Sequence, residues 1–189
     1  SSTKYLGGHS DIVGGSIVVK ENKEYAEKIS YIQNAVGAVP SPFDCYLLTR
    51  SIKTLSVRMK QHNENAAAIS NYLSKHPKIE KVFFPGTDKR YKEIAEKQMD
   101  GFGGMMSFVI DSDINGIKTF LKNLNLFTLA ESLGGVESLI EHPAIMTHAS
   151  IDPSIREKLG ISETLLRISV GIEDVDDLIA DLDQALSKI

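Results

Sequence analysis

The chain has 189 residues, 42% of them hydrophobic and 24% charged, with a net charge of -4 at neutral pH. A chain of this size can bury a substantial core in one or two domains, while its mild acidity, with no basic stripe interleaved with aromatics, gives no footprint for nucleic acid. Its apolar runs are too short to suggest a membrane span, and the single cysteine, Cys45, excludes an internal disulfide and fits a reducing, cytoplasmic setting.

No signal peptide is evident. Ser1 falls inside a pattern rather than at an initiator methionine, so residues upstream of it are expected. The opening stretch "SSTKYLGGHSDIVGG" sets Lys4 between small hydroxyl residues and two glycine pairs. Taken alone, Lys4 reads as a solvated loop lysine.

Ile17, Val18 and Val19 form a short apolar run bounded by Gly14–Gly15 and by polar residues, which predicts a buried strand. The stretch "KEYAEKISYIQNAVG" predicts a helix, with Tyr25, Ile29 and Ile32 at helical spacing and an end near Gly37. Next, Ser41 is a good N-cap, Pro42 suits the first helical position and Asp44 adds charge where the helix dipole favours it. The apolar stripe Leu48, Ile52, Leu55 and Met59 resumes at Ala66, Ile69 and Leu73, and Pro77 stops it. This predicts one helix of nearly ten turns, roughly 50 Å at 1.5 Å per residue, connecting two domains. Cys45 lies within its apolar pattern, which predicts a packing role.

Beyond His76 short strands alternate with helices. "IEKVFFPG", "GGMMSFVIDSD", "LFTLAES" and "LLRISVGIE" read as strands; "YKEIAEKQM", "INGIKTFLKNL" and "EDVDDLIADLDQALSKI" read as helices. The expected organisation is therefore residues 1–75, ending in the long connecting helix, and an α+β domain over 76–189.

The five histidines form no metal-ligand spacing, so no metal site is expected. "GGHSDIVGG" has neither the ending of a phosphate-binding P-loop nor a dinucleotide fingerprint, and no GxSxG elbow supports a serine hydrolase. Arg167 is more informative. In "LLRISVG", Leu166, Ile168 and Val170 share one face, while Leu165, Arg167 and Ser169 share the other. A guanidinium on an apolar strand needs a partner, and two readings stand open: an internal ion pair, or a fork that grips a substrate carboxylate. The second polar concentration is "LAESLGGVESLIEHPAIMTHAS", where Glu131, Ser132, Thr147, His148 and Ser150 surround Gly134–Gly135.

Four blocks, "SSTKYLGGHSDIVGG", "GAVPSPFDCYLLTRSIKTLSVRM", "LFTLAESLGGVESLIEHPAIMTHAS" and "GISETLLRISVGIEDVDDLIADLDQAL", closely resemble the Cys/Met-metabolism family of pyridoxal-phosphate enzymes, from Ser1 to the C-terminus and in the same order. Within the family they look nearest to its cystathionine γ-lyase branch. The resemblance implies the α/β fold of type I pyridoxal-phosphate transferases, like aspartate aminotransferase. Residues 1–75 would close the large cofactor domain, and 76–189 would be the C-terminal domain.

It also implies roles. Lys4 would form an imine with the aldehyde of pyridoxal 5'-phosphate and later act as the catalytic base, and Ser1 and Thr3 would hydrogen-bond the cofactor phosphate. Arg167, helped by Ser132, would hold the substrate's α-carboxylate, with Thr147 supporting the lysine or the carboxylate site. Glu131 would attract the distal ammonium of cystathionine, and His9 would be structural. The implied reaction is α,γ-elimination of cystathionine to cysteine, 2-oxobutyrate and ammonia. The alternatives are γ-synthase, methionine γ-lyase and O-acylhomoserine sulfhydrylase activities, or a non-catalytic fragment. The family's remaining cofactor contacts lie upstream of the lysine, and its members are homotetramers built from dimers that share active sites.

Overall fold

The computed structural model describes residues 1–189, which divide into two compact units, Ser1–Leu55 and Ser56–Ile189. No helix is long and apolar enough to cross a membrane.

The first unit opens with a folded loop over residues 1–14. Helix α1 (Lys23–Val36) starts where the Asn22 side chain accepts a hydrogen bond from the Tyr25 N–H. It stops at Gly37, whose left-handed φ of 72° lets its own N–H reach the Gln33 carbonyl at 2.9 Å. Helix α2 (Pro42–Ile52) begins as its residues dictate: the Ser41 hydroxyl accepts from the Asp44 N–H at 3.1 Å, and Pro42 occupies the first turn.

Two expectations fail in this unit. Ile17–Val19 is not a buried strand: the segment is irregular, and Ile17 and Val18 are largely exposed. A strand needs a ladder partner for its backbone groups, and the molecule's one sheet draws all its strands from residues 79–169. Cys45 is exposed rather than packed, because the apolar side chains around it on α2, Phe43 and Tyr46, are themselves exposed.

The single long helix is also corrected. It is two helices, α2 and α3 (Leu55–Leu73), separated by a turn at Lys53–Thr54. There the Thr54 N–H and hydroxyl both donate to the Ser51 carbonyl, each at 3.1 Å. This tighter i to i+3 bonding, reinforced by a side chain that competes for the same acceptor, ends the α-helical ladder. Helix α3 supplies Ala66, Ile69 and Leu73 to the core of the second compact unit, which starts at Ser56.

The second unit contains β1 (Ile79–Phe83), α4 (Lys92–Gln98), β2 (Met105–Ile110), α5 (Ile114–Lys122), β3 (Thr128–Leu129), β4 (Leu139–Glu141), α6 (Pro153–Lys158), β5 (Leu165–Ser169) and α7 (Val175–Leu186). The strands form one mixed sheet in the order β1-β2-β5-β4-β3; all neighbours are antiparallel except β3 and β4. One face of the sheet, carrying Met106, Phe108, Ile110, Ile140, Leu166 and Ile168, shares a core with α3, α5 and α7. Phe108 meets Phe120 of α5 edge-to-face, with ring centres 6.4 Å apart. The alternation read in "LLRISVG" holds: Leu166, Ile168 and Val170 are fully buried, and Arg167 turns to the other face.

Candidate active site

The face of the sheet away from the core carries a row drawn from four adjacent strands. Phe83 of β1 pairs with Ser107 of β2, Ser107 with Arg167 of β5, and Arg167 with Glu141 of β4. Glu141 is 1% exposed, so its charge needs local compensation. The Arg167 Nη2 lies 2.5 Å from Glu141 Oε2, although none of its N–H bonds points along that line, so the contact is a charge pair rather than an aligned hydrogen bond. The other carboxylate oxygen, Oε1, accepts a hydrogen bond from the Thr147 hydroxyl at 2.7 Å.

Two loops complete the cluster. The first, residues 130–138, is clamped to the C-terminal end of β5. The Gly134 N–H donates to the Ser169 hydroxyl at 2.8 Å, the Gly171 N–H to the Ser138 hydroxyl at 2.8 Å, and the Ile172 N–H to the Val136 carbonyl at 2.9 Å. Ser138 in turn donates from its N–H and its hydroxyl to the Glu173 carboxylate. Gly134 has a left-handed φ of 75°, which suits a residue without Cβ. At Gly171 a Cβ would stand 2.3 Å from the Val136 carbonyl oxygen, so the close approach of these two backbones requires glycine there. The clamped loop places the carbonyls of Glu131 and Ser132 each 3.4 Å from Arg167 Nη2, at the long end of hydrogen bonding.

The second loop, residues 142–151, is a series of turns. Arg156 of α6 pins it by donating from Nη1 to the Ala144 carbonyl at 2.9 Å, and more weakly to the His148 carbonyl. It carries Thr147 up to Glu141, and its first residue, His142, is buried with Nε2 donating to the Glu163 carbonyl at 2.8 Å.

Of the predicted residues in this unit, Arg167 and Thr147 meet through Glu141, while Glu131 and Ser132 reach Arg167 through their backbone carbonyls. The Glu131 side chain is exposed. Glu141 itself was missed. Strand β4 is only three residues long and sits in a stretch that reads as loop, but "SLIEHP" does carry a signal: a carboxylate placed after two apolar residues. The open reading of Arg167 as an internal ion-pair member is thus realised.

In the first unit Ser1, Thr3 and Lys4 share the opening loop. It is closed by the Ser2 N–H donating to the Gly14 carbonyl at 2.9 Å and the Gly14 N–H donating to Thr3 Oγ1, also at 2.9 Å. The Thr3 hydroxyl leans back toward the Gly14 carbonyl at 3.3 Å. A turn follows the lysine, with the Gly8 N–H donating to the Lys4 carbonyl at 2.7 Å. Gly8 is left-handed, with φ 70°, and Ser10 shares that region at φ 55°, an unusual choice for a residue with a Cβ. His9 Nδ1 donates to the Gly7 carbonyl at 2.7 Å, a local bond that stiffens the turn. Ser1 is exposed while Ser2 beside it is buried.

These residues suit an aldehyde-bearing, phosphorylated cofactor. Lys4 is partly buried, and its ε-amine forms no ion pair. A lysine not committed to a carboxylate can lose its proton and bond covalently to a carbonyl. The hydroxyls of Ser1 and Thr3 stand on the same loop, within three residues of it.

A model of the Cys/Met metabolism PLP-dependent enzyme family matches residues 1–187. The chain is 55% identical over 189 residues to a cystathionine gamma-lyase of Dictyostelium discoideum, covering all of this chain and 49% of that protein. It is 54% identical over 187 residues to a cystathionine beta-lyase of Coxiella burnetii, covering 98% of this chain and 48% of the other. Among solved structures, a cystathionine gamma-lyase from Lactobacillus plantarum complexed with L-serine aligns with TM-score 0.92 and 48% identity, over all of this chain and 49% of that one. A cystathionine gamma synthase from Xanthomonas oryzae pv. oryzae in complex with cystathionine aligns with TM-score 0.93 and 46% identity over the same shares. The chain spans about half the length of the curated relatives it matches. Its mixed sheet and helices are those of part of a type I pyridoxal-phosphate fold, and the chain belongs to the Cys/Met metabolism PLP-dependent enzyme family, whose cofactor is pyridoxal 5'-phosphate.

Proposed function

We propose that the full-length protein carrying this chain is a carbon–sulfur lyase that cleaves cystathionine by α,γ-elimination, releasing cysteine, 2-oxobutyrate and ammonia. The observation that carries this reading is Arg167. Its Nη2 is occupied by protein groups, and its Nε and Nη1 have no protein acceptor, which leaves guanidinium donors for an amino-acid carboxylate. A carboxylate held there would fix the orientation of the bonds at Cα.

When bound, pyridoxal 5'-phosphate supplies an electron sink for charge developing at Cα. Lys4 would hold the cofactor covalently and, once freed by the substrate amine, take the Cα proton. An ordinary lysine, with a pKa near 10.4, is almost fully protonated at neutral pH, so release from a covalent bond delivers the amine in its basic form. One flexible amine on a four-carbon stem can also carry protons to positions farther along the substrate, as γ-elimination requires. Ser1 and Thr3 would donate to the cofactor phosphate; for Thr3 this means exchanging its long bond to Gly14 for a stronger, charge-assisted one. Residues 1–75 would close the cofactor domain and 76–189 form the C-terminal domain. Assembly as a cytoplasmic homotetramer is part of the same reading and rests on the family resemblance.

A second reading is cystathionine β-elimination, favoured by the Coxiella burnetii relative; a third is the synthase reaction, favoured by the Xanthomonas oryzae structures. Product analysis of the purified full-length protein separates them. Breaking the Cγ–S bond of cystathionine gives 2-oxobutyrate and cysteine, whereas breaking Cβ–S gives pyruvate and homocysteine. A synthase instead forms cystathionine from an activated homoserine and cysteine. The expected result is 2-oxobutyrate as the main keto acid. Pyruvate in excess, or efficient synthesis without elimination, would overturn the γ-lyase reading.

A further inference from the structure

Glu141 has no part in the reading above, yet it is a fully buried carboxylate at the centre of the Arg167 cluster. A carboxylate that gives up its hydration must recover it from partners, or the ion is lost. Glu141 has one on each oxygen: the Thr147 hydroxyl on Oε1 and the Arg167 guanidinium beside Oε2. Thr147 lies 2.8 Å from His148 Nδ1 as well. Its single hydroxyl proton goes to Glu141, so His148 must be the donor in that contact. The donors thus run in one direction, from His148 to Thr147 to Glu141, and the chain ends against Arg167.

The protein contacts of Arg167 all fall on one nitrogen, Nη2. Arginine has a long stem with substantial rotamer entropy, and confining it at the moment of binding costs affinity. A guanidinium already held at one corner meets that cost in folding, and its other donors are aimed before a ligand arrives. The tether is hard to break, because swinging Arg167 away would leave Glu141 buried and uncompensated.

We propose that Glu141 is the positioning residue of the carboxylate site: anchored by Thr147, it holds the Arg167 guanidinium so that a donor the protein leaves free faces the ligand's carboxylate. This rests on the lyase reading only in taking Arg167 as the carboxylate's partner.

The test compares two ligands that differ in the carboxylate alone. L-alanine and ethylamine are titrated into the full-length, cofactor-loaded protein, and dissociation constants are read from the change in cofactor absorbance. The near-isosteric Glu141→Gln variant should weaken L-alanine by about tenfold or more, the usual scale for a charge-assisted contact, and leave ethylamine within about twofold. Glu141→Asp, which keeps the charge on a shorter arm, should recover part of the loss. Thermal unfolding of each variant is measured alongside. A lowered unfolding midpoint with the wild-type ratio of the two affinities would show a purely structural pair and overturn the proposal. Unchanged or tighter L-alanine binding in folded Glu141→Gln would overturn it too. If Arg167→Ala left L-alanine binding intact, the failure would lie in the assignment of Arg167, and the lyase reading would fall together with the proposal.

Discussion

His62, in the middle of α3, donates from Nδ1 to the Val170 carbonyl at 2.7 Å, joining that helix to the residue that follows β5. The ring is fully buried, and burial pushes its pKa below the ordinary histidine value, outweighing the bond to Val170, which acts in the opposite direction. The folded protein therefore keeps His62 neutral at pH values where the unfolded chain, with a pKa near 6.5, begins to take up a proton. Below that pH the unfolded state binds more protons, so stability falls as acid is added. Thermal midpoints measured from about pH 7.5 to about pH 5.5 should drop, and His62→Gln should flatten that slope even though it lowers the starting midpoint. An unchanged slope in the variant would remove His62 as its source.

Asp181 of α7 caps the turn that follows α5. Burial pushes its carboxyl up, but the N–H groups of Asn125, Leu126 and Phe127 outweigh this and hold the pKa below the usual carboxylate value. Asp181→Ala would leave those donors without an acceptor in a turn that ends at the buried Phe127. A loss of about 2–3 kcal/mol is expected in urea unfolding. A change below about 0.5 kcal/mol would mean that solvent replaces the carboxylate.

Gly171 tests the clamp between the 130–138 loop and β5. Because an added Cβ would meet backbone atoms of Val136 and Glu137, and not only a movable side chain, Gly171→Ala must displace the loop. The expected cost is about 1–3 kcal/mol of stability, with weaker binding of carboxylate ligands, since the Glu131 and Ser132 carbonyls move with the loop. Wild-type unfolding and ligand binding in the variant would show that the loop's position does not depend on this approach.

Glu131 offers an exposed carboxylate at the edge of the Arg167 cluster. If it attracts the distal ammonium of cystathionine, Glu131→Ala should lower kcat/KM for cystathionine by about two- to fivefold, the scale of an exposed ion pair. Homoserine derivatives, which lack that ammonium, should be spared. Equal losses on both substrates would remove the role.

Much of the sheet was legible because its strands alternate. Leu166, Ile168 and Val170 sorted to the core and Arg167 to the opposite face by period alone, and Ser41, Pro42 and Gly37 marked helix ends through local chemistry. What escaped depended on partners distant in sequence or on short-range competition. The run Ile17–Val19 has strand composition but no neighbouring strand, and the continuous stripe from Leu48 to Leu73 gave no warning that Thr54 would turn onto Ser51. Lys4, Thr147 and Arg167 stood out because their blocks resemble family motifs, and the structure brings the last two together through Glu141. Glu141 did not stand out, because its importance lies in register: only the pairing of β4 with β5 sets it opposite Arg167.

Lys4 carries the central claim, and borohydride reduction of the full-length protein followed by peptide mass spectrometry tests it most directly. The account predicts a reduced pyridoxyl group on the peptide containing Lys4, and none on that peptide in Lys4→Ala. A label on a different lysine, or no label after reduction of the cofactor-loaded protein, would contradict it.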